Sequence, residues 1–133
     1  NSSEIRPLQH TETDDTGQTR TWTIHELCTS WELALEGKAM HHCVRSYAGK
    51  CVSGECSVWS LQVQTGPEEP ISVMTIAVNN AERRITQARG KYNLLPHRKA
   101  GRRRDISGSY LVLLKEAPRL MGMWTEQTGL QNG

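Results

Sequence analysis

The clearest periodicity in the chain is a helical one near its middle. A single apolar stripe recurs at i, i+3, i+4, i+7 and i+11, and its members are Met40, Cys43, Val44, Tyr47 and Cys51. This spacing predicts a helix over residues 40–51, with Gly54 after it as a stop. A weaker helical pattern precedes it, with Thr29 or Ser30 as N-cap, and we expect Gly37 to interrupt or end that helix.

Three of the segments that follow have the pattern of strands. Residues 57–64 alternate apolar and polar side chains, which predicts a strand with one wet face. Residues 71–78 are apolar on both faces, as is typical of a central strand. A turn at residues 79–80 leads to a third strand near residues 84–89. The stretch 21–24 is a further, shorter strand candidate.

After Gly90 the pattern predicts a basic loop that extends to about Gly108. Residues 110–117 are predicted to form an apolar helix. Pro118 is expected either to break it or to start another helix that carries Leu120, Met123 and Trp124.

Taken together, these elements predict an α+β fold: a small antiparallel sheet of three to four strands with helices packed on one face. Residues 1–20 are polar and turn-rich, and we interpret them as an N-terminal arm, either loose or folded into an edge hairpin. Residues 21–133 are interpreted as one α+β domain.

Composition indicates the cellular compartment in which we expect the protein. The 133-residue chain has a low hydrophobic share of 36%, contains no Phe and has four Trp. No apolar run approaches the roughly 18 residues of a membrane span, and the N-terminus lacks a signal-peptide pattern. The four cysteines are expected to be reduced thiols rather than disulfides. We therefore expect a cytoplasmic protein with no membrane partner.

Charge is distributed unevenly along the chain. Residues 1–36 carry seven acids against Arg6 and Arg20. Residues 83–104 carry no acid and nine bases, which are Arg83, Arg84, Arg89, Lys91, Arg98, Lys99, Arg102, Arg103 and Arg104. Such segregation indicates a charged partner rather than a particular fold.

Several short motifs occur in one order over most of the chain. They are Glu36-Gly37-Lys38, His42-Cys43-Val44, Ser46-Tyr47, Ser57-Val58-Trp59-Ser60-Leu61 and Gln87-Ala88-Arg89-Gly90-Lys91-Tyr92-Asn93. In this order they resemble the PcfJ-like family of bacterial mobile elements, over roughly residues 22–130. The resemblance implies a setting on plasmids or phages, with conjugative DNA transfer as the associated process, and implies no catalytic mechanism. The family often has Thr-x-Glu-x in the central strand, where this chain has Ala77 in place of the acid.

A cysteine nucleophile is the first chemistry to consider. His42 and Cys43 are neighbours on the predicted helix and point about 100° apart, so His42 is badly placed to activate Cys43. Cys43 also lies in the apolar stripe, which favours a buried structural thiol. A cysteine enzyme remains an alternative in which the base is His41, His97 or His25.

A metal site is the second possibility. The candidate ligands are His41, His42, Cys43, Cys51 and Cys56. Their spacing does not match paired Cys-x-x-Cys knuckles, and Cys43 and Cys51 would lie about 12 Å apart along one helix. We expect no metal and no cofactor.

An uncharged polar pocket is the third. Gln87, Gly90 and Asn93 end the third predicted strand, and Gly90 indicates a positive φ or close approach by a ligand. His42, Tyr47 and Thr75 would complete the pocket if the helix packs on the sheet. The alternative is a polar turn that satisfies its own backbone.

The basic segment indicates nucleic acid, because Arg and Lys contacts to phosphates supply most non-specific affinity and Tyr92 adds a ring for base stacking. We therefore expect a nucleic-acid-binding accessory domain in conjugation or phage DNA processing. Its predicted contacts are Arg83, Arg84, Arg89, Lys91, Tyr92, Arg98, Lys99, Arg102, Arg103 and Arg104, with DNA or RNA as the partner. One alternative is an enzyme on nucleic acid or nucleotides with His42, Cys43 and Gln87 as catalytic candidates and Asn93 positioning substrate. Another is a protein adaptor that meets conjugation or phage proteins.

Overall fold

The computed structural model describes residues 5–40, 56–91 and 107–132. These ranges contain six strands and two helices. In chain order they are β1 (Leu8–Thr13), β2 (Thr19–Glu26), α1 (Ser30–Met40), β3 (Cys56–Thr65), β4 (Ile71–Asn79), β5 (Arg84–Arg89), α2 (Gly108–Thr128) and β6 (Gln131–Asn132). The three strand predictions over residues 57–64, 71–78 and 84–89 are confirmed. The helix predicted over residues 40–51 lies outside the described ranges, apart from Met40.

The strands form one six-stranded sheet in the order β1 to β6. Neighbours from β1 to β5 are antiparallel, whereas β6 runs parallel to β5. The sheet is therefore mixed, and it curls into a half-barrel. The prediction of a small antiparallel sheet of three to four strands was wrong, because a polar N-terminal strand and a two-residue C-terminal strand both join the ladder.

The two helices pack on opposite faces of this sheet. Successive strand residues point to opposite faces. In β3, Trp59 and Leu61 lie in the main core with α2, whereas Ser60 donates a hydrogen bond to Glu36 of α1. The prediction that the helices pack on one face was therefore wrong. Burial of β4 on both sides, from Val73 to Val78, follows from this arrangement.

The main core lies between the sheet and α2. The helix residues buried there are Tyr110, Leu113, Leu114, Ala117, Leu120, Met121 and Trp124. The rings of Trp59 and Trp124 meet with centroids 4.9 Å apart and planes tilted by 55°. A smaller apolar layer lies under α1 and consists of Leu27, Leu33, Met40, Val58 and Ala77.

A reciprocal capping box starts α1. The backbone N–H of Glu32 donates to the Thr29 hydroxyl, and the Glu32 carboxylate accepts from the N–H groups of Thr29 and Cys28. The helix then continues through Gly37 to Met40, because Leu33, Glu36 and Met40 anchor its buried side. Packing outweighs the modest propensity penalty of one glycine.

Pro118 does not end α2, which runs on for ten further residues to Thr128. Proline removes one backbone hydrogen bond, but its own side chain faces solvent. Buried Ala117 and Leu120 hold the helix to the sheet on either side of it. Ser107 caps the N-terminus, and Gly129, at φ 78°, provides the left-handed C-cap.

Candidate functional site

A polar row crosses the α1-facing side of the sheet. Ser60 of β3 pairs with Thr75 of β4, and Thr75 pairs with Arg89 of β5. The next pair on this face joins Ala77 to Gln87. Thr75 and Gln87, two members of the predicted pocket, therefore lie on adjacent strands and on the same face.

Glu36 of α1 sits at the centre of this row and is only 3% exposed. Its carboxylate accepts three hydroxyl hydrogen bonds: from Ser60 at 3.0 Å, from Ser72 at 3.1 Å and from Thr75 at 2.6 Å. The Gln62 amide in turn donates to the Ser60 and Ser72 hydroxyls. We call Glu36, Ser60, Ser72 and Thr75 the carboxylate cluster.

A β-bulge brings Ser72 into the carboxylate cluster. Leu61 pairs with Met74, but the next β3 residue, Gln62, pairs with Ser72, so Val73 is an extra residue in β4. An extra residue shifts the alternation of side chains along a strand. Val73 consequently joins Met74 in the main core, and Ser72 reaches Glu36 on the other face.

Burial raises the pKa of Glu36, and the hydroxyl donors from Thr75, Ser60 and Ser72 oppose that shift. A carboxyl whose pKa is raised by folding binds its proton more tightly in the native state than in the unfolded chain. Its contribution to stability is therefore fully present below the ordinary carboxyl pKa and is lost as the pH rises through the raised value. As far as Glu36 is concerned, the fold is therefore most stable when this carboxyl is protonated.

His25, one of the candidate bases, lies on β2 opposite Ser60. It is half-buried, and burial lowers its pKa while nearby Glu32 opposes the shift. The thiols that the structure describes are Cys28, which is exposed, and Cys56, which is half-buried. Burial raises the pKa of Cys28, so that thiol is not activated.

Gly90 lies at the end of β5, where α2 packs tightly against the backbone. A Cβ at this position would lie 2.5 Å from the Tyr110 hydroxyl and 2.9 Å from a methyl group of Leu114. Its φ is not positive. Close packing by Tyr110 and Leu114, rather than by a ligand, accounts for the missing side chain.

The Tyr110 hydroxyl joins three parts of the fold. It donates to the carbonyl of Val73 at 2.6 Å and accepts the backbone N–H of Lys91 at 2.8 Å. The ammonium of Lys91 lies 4.9 Å from the centre of the Tyr110 ring. Burial raises the pKa of Tyr110 to about 12, so the hydroxyl keeps its proton at neutral pH.

The basic edge consists of Arg83, Arg84, Arg89 and Lys91, on β5 and just beyond its two ends. Arg84 and Arg89 pair with Asn79 and Thr75, so both face the α1 side. Arg84 is exposed, and Arg89 and Lys91 are half-buried.

Arg83 of the basic edge links β5 to the C-terminal end of α2. Its φ of 50° is left-handed, and its guanidinium donates to the Thr128 carbonyl at the end of α2. Its own carbonyl accepts the N–H of Gln131 in β6. Arg83 therefore ties the C-terminal strand to β5. Its side chain contributes positive charge from a fixed position.

The remaining predicted site residues lie outside the described ranges. They are His42, Cys43, Tyr47, Tyr92, Asn93, Arg98, Lys99, Arg102, Arg103 and Arg104, together with the candidate ligands His41 and Cys51 and the candidate base His97. Among the described residues, no group of three or more His, Cys, Asp or Glu side chains is arranged to hold a metal ion.

Sequence reasoning missed Glu36 and Tyr110 as residues that organise the site. Glu36 gave one usable signal, because it lies between Leu33 and Met40 on the buried stripe of α1, where an acid needs partners. Tyr110 gave none, because its partners Val73 and Lys91 are distant in sequence.

This geometry defines a class of domain: a mixed sheet that is covered by a helix on each face and carries a basic edge. A family model described as PcfJ-like protein matches residues 6–101, which is most of the chain. The chain belongs to the PcfJ-like protein family, and the resemblance stated from the sequence is confirmed. A search of curated proteins and a search of solved structures each gave no match. Over the described ranges, neither helix has the length and apolar character needed to cross a membrane.

Proposed function

We propose that this PcfJ-like domain binds the phosphate backbone of DNA or RNA as an accessory domain of a bacterial mobile element. The contact surface would be the basic edge together with the basic residues that follow it in the sequence, up to Arg104. One observation carries the proposal. Within the described ranges the ion pairs join Arg119 to Glu12 and Glu116, and the basic edge takes part in none of them.

Cations grouped along one strand suit a polyanion. Each phosphate that Lys or Arg neutralises releases condensed counterions, which drives binding and makes it sensitive to salt. Arg84 and Arg89 project from the same side of β5, so one strand of nucleic acid can meet both. No base-reading motif supports sequence specificity. The mobile-element setting rests on the family alone.

The test is fluorescence anisotropy with labelled single- and double-stranded DNA and RNA, at salt concentrations of about 50 and 200 mM. Arg84→Ala combined with Arg89→Ala should weaken binding and should make the slope of log K against log salt shallower by about two. Lys38→Ala combined with Lys115→Ala is the matched control. It removes the same charge from exposed positions on α1 and α2 and should leave the slope unchanged.

Each sample is then run on a denaturing gel. Salt-sensitive binding with intact strands supports the accessory domain. Cleaved or modified strands would favour the enzyme, with His42→Ala as the next variant. An absence of binding at the lower salt concentration would overturn the proposal and favour the protein adaptor. Equal slopes for the wild type and the Arg84/Arg89 variant would place the contact elsewhere.

A further inference from the structure

Tyr110 occupies the point at which β5 ends and the basic sequence continues. Its hydroxyl holds the backbone of Lys91 to the backbone of Val73 through two short hydrogen bonds. Its own backbone N–H donates to the Ser107 hydroxyl at 3.1 Å, which caps α2. Tyr110 is therefore hydrogen-bonded to both residue 91 and residue 107. These are the described positions on either side of the remaining basic sequence.

We propose that Tyr110 is a positioning residue for nucleic-acid binding, acting through Lys91. This inference rests on the proposed function. Tyr110 is only 4% exposed, so its ring is not a stacking platform for bases. It fixes the main chain of Lys91 next to Arg89, and this sets the spacing of the two cations before any ligand arrives.

The gain in binding affinity comes from ordering the backbone of Lys91 before the ligand binds. Fixing one residue of backbone costs about 1–2 kcal/mol. When the fold has already fixed that residue, the cost does not fall on binding. The aromatic ring adds to this, because the Lys91 ammonium rests over it. Tyr110→Phe keeps the ring beneath the Lys91 ammonium and removes the two backbone hydrogen bonds of the hydroxyl, to Lys91 and Val73.

The experiment compares Tyr110→Phe, Lys91→Ala and the double variant in the anisotropy assay with the full chain. Lys91→Ala should make the salt slope shallower by about one, as for one lost phosphate contact. Tyr110→Phe should shift the slope in the same direction, and it should add no further shift in the Lys91→Ala background. Trp124→Phe is the control, because it removes a hydrogen bond from the same helix to the Arg6 carbonyl, at the end of α2 distant from Lys91.

Several results would overturn the inference. A Tyr110→Phe slope equal to those of the wild type and Trp124→Phe would show that the hydroxyl is merely structural, while leaving the proposed function intact. Failure of the wild type to bind would instead remove the proposed function itself. If Tyr110→Phe does not fold, amide hydrogen exchange of the wild type decides. The Lys91 N–H should be protected in the free protein, and rapid exchange there would contradict the positioning role.

Discussion

Gly90→Ala should be among the most damaging single-methyl changes in this protein. The new Cβ would lie 2.5 Å from the Tyr110 hydroxyl and 2.9 and 3.1 Å from the two methyl groups of Leu114. Overpacking of this kind costs about 1–3 kcal/mol. Displacing the hydroxyl also weakens its bonds to Val73 and Lys91, at about 0.5–1.5 kcal/mol each. Alanine reduces the entropy of the unfolded chain, which offsets about 0.4–1 kcal/mol.

The net expectation is a loss of about 1–5 kcal/mol in the free energy of unfolding, with the middle of that range at about 3 kcal/mol. Urea denaturation followed by circular dichroism measures this loss through the transition midpoint at constant m-value. The matched control is Gly122→Ala, on the exposed side of α2, where a Cβ meets nothing within 4 Å. That change should stabilise the protein by about 0.5–1 kcal/mol, because alanine is the better helix former.

A double-mutant cycle tests the stated cause. In a Tyr110→Phe background the nearest clashing atom is gone, so Gly90→Ala should cost at least about 1 kcal/mol less than in the wild type. Some cost should remain, because the Leu114 methyl groups are still close. A neutral Gly90→Ala variant, or the same cost in both backgrounds, would refute the reasoning.

Three further predictions concern stability. As the pH rises above the ordinary carboxyl pKa, the contribution of Glu36 to the free energy of unfolding should fall, whereas the contribution of His25, whose pKa is lowered, rises. Glu36→Gln should remove the falling part of the pH profile, and an unchanged slope would contradict the assignment to Glu36. Thr29→Ala should cost about 1 kcal/mol through loss of the α1 cap, measured by urea titration; no loss would mean the capping box is not formed in solution. Leu120→Ala should cost about 2–5 kcal/mol, against within about 0.5 for exposed Val112→Ala, and equal costs would place Leu120 outside the core.

The central part of the sheet was predictable because its signals are local. Residues 57–64 alternate strongly, and residues 71–78 are bounded by turn-forming segments. The apolar character of residues 71–78 on both faces even carried the information that two layers cover the sheet. Assigning both helices to one face ignored that information, and the contact of Glu36 with Ser60 and Thr75 corrects it.

The edges of the sheet were only partly predictable, for the opposite reason: the sequence left residues 1–20 open between a loose arm and an edge hairpin, and the structure has the hairpin of β1 and β2. Residues 8–13 are mostly polar, and they form a strand because Thr11 and Thr13 pair with Thr21 and Thr19 of β2. The two residues of β6 are too short to carry any periodicity, and their pairing depends on the position of α2. Non-local contacts of this kind override local propensity.

Three of the four tryptophans are buried, and one lies open on α1, so the protein carries its own spectroscopic reporters. Trp22, Trp59 and Trp124 are at most 1% exposed, whereas Trp31 is 71% exposed. An aqueous quencher such as iodide should therefore quench the fluorescence of Trp31 selectively, and this quenching reports on the exposed surface of α1. The close Trp59–Trp124 ring pair should give an exciton couplet in the circular dichroism spectrum. Loss of that couplet would mark the moment when α2 leaves the sheet.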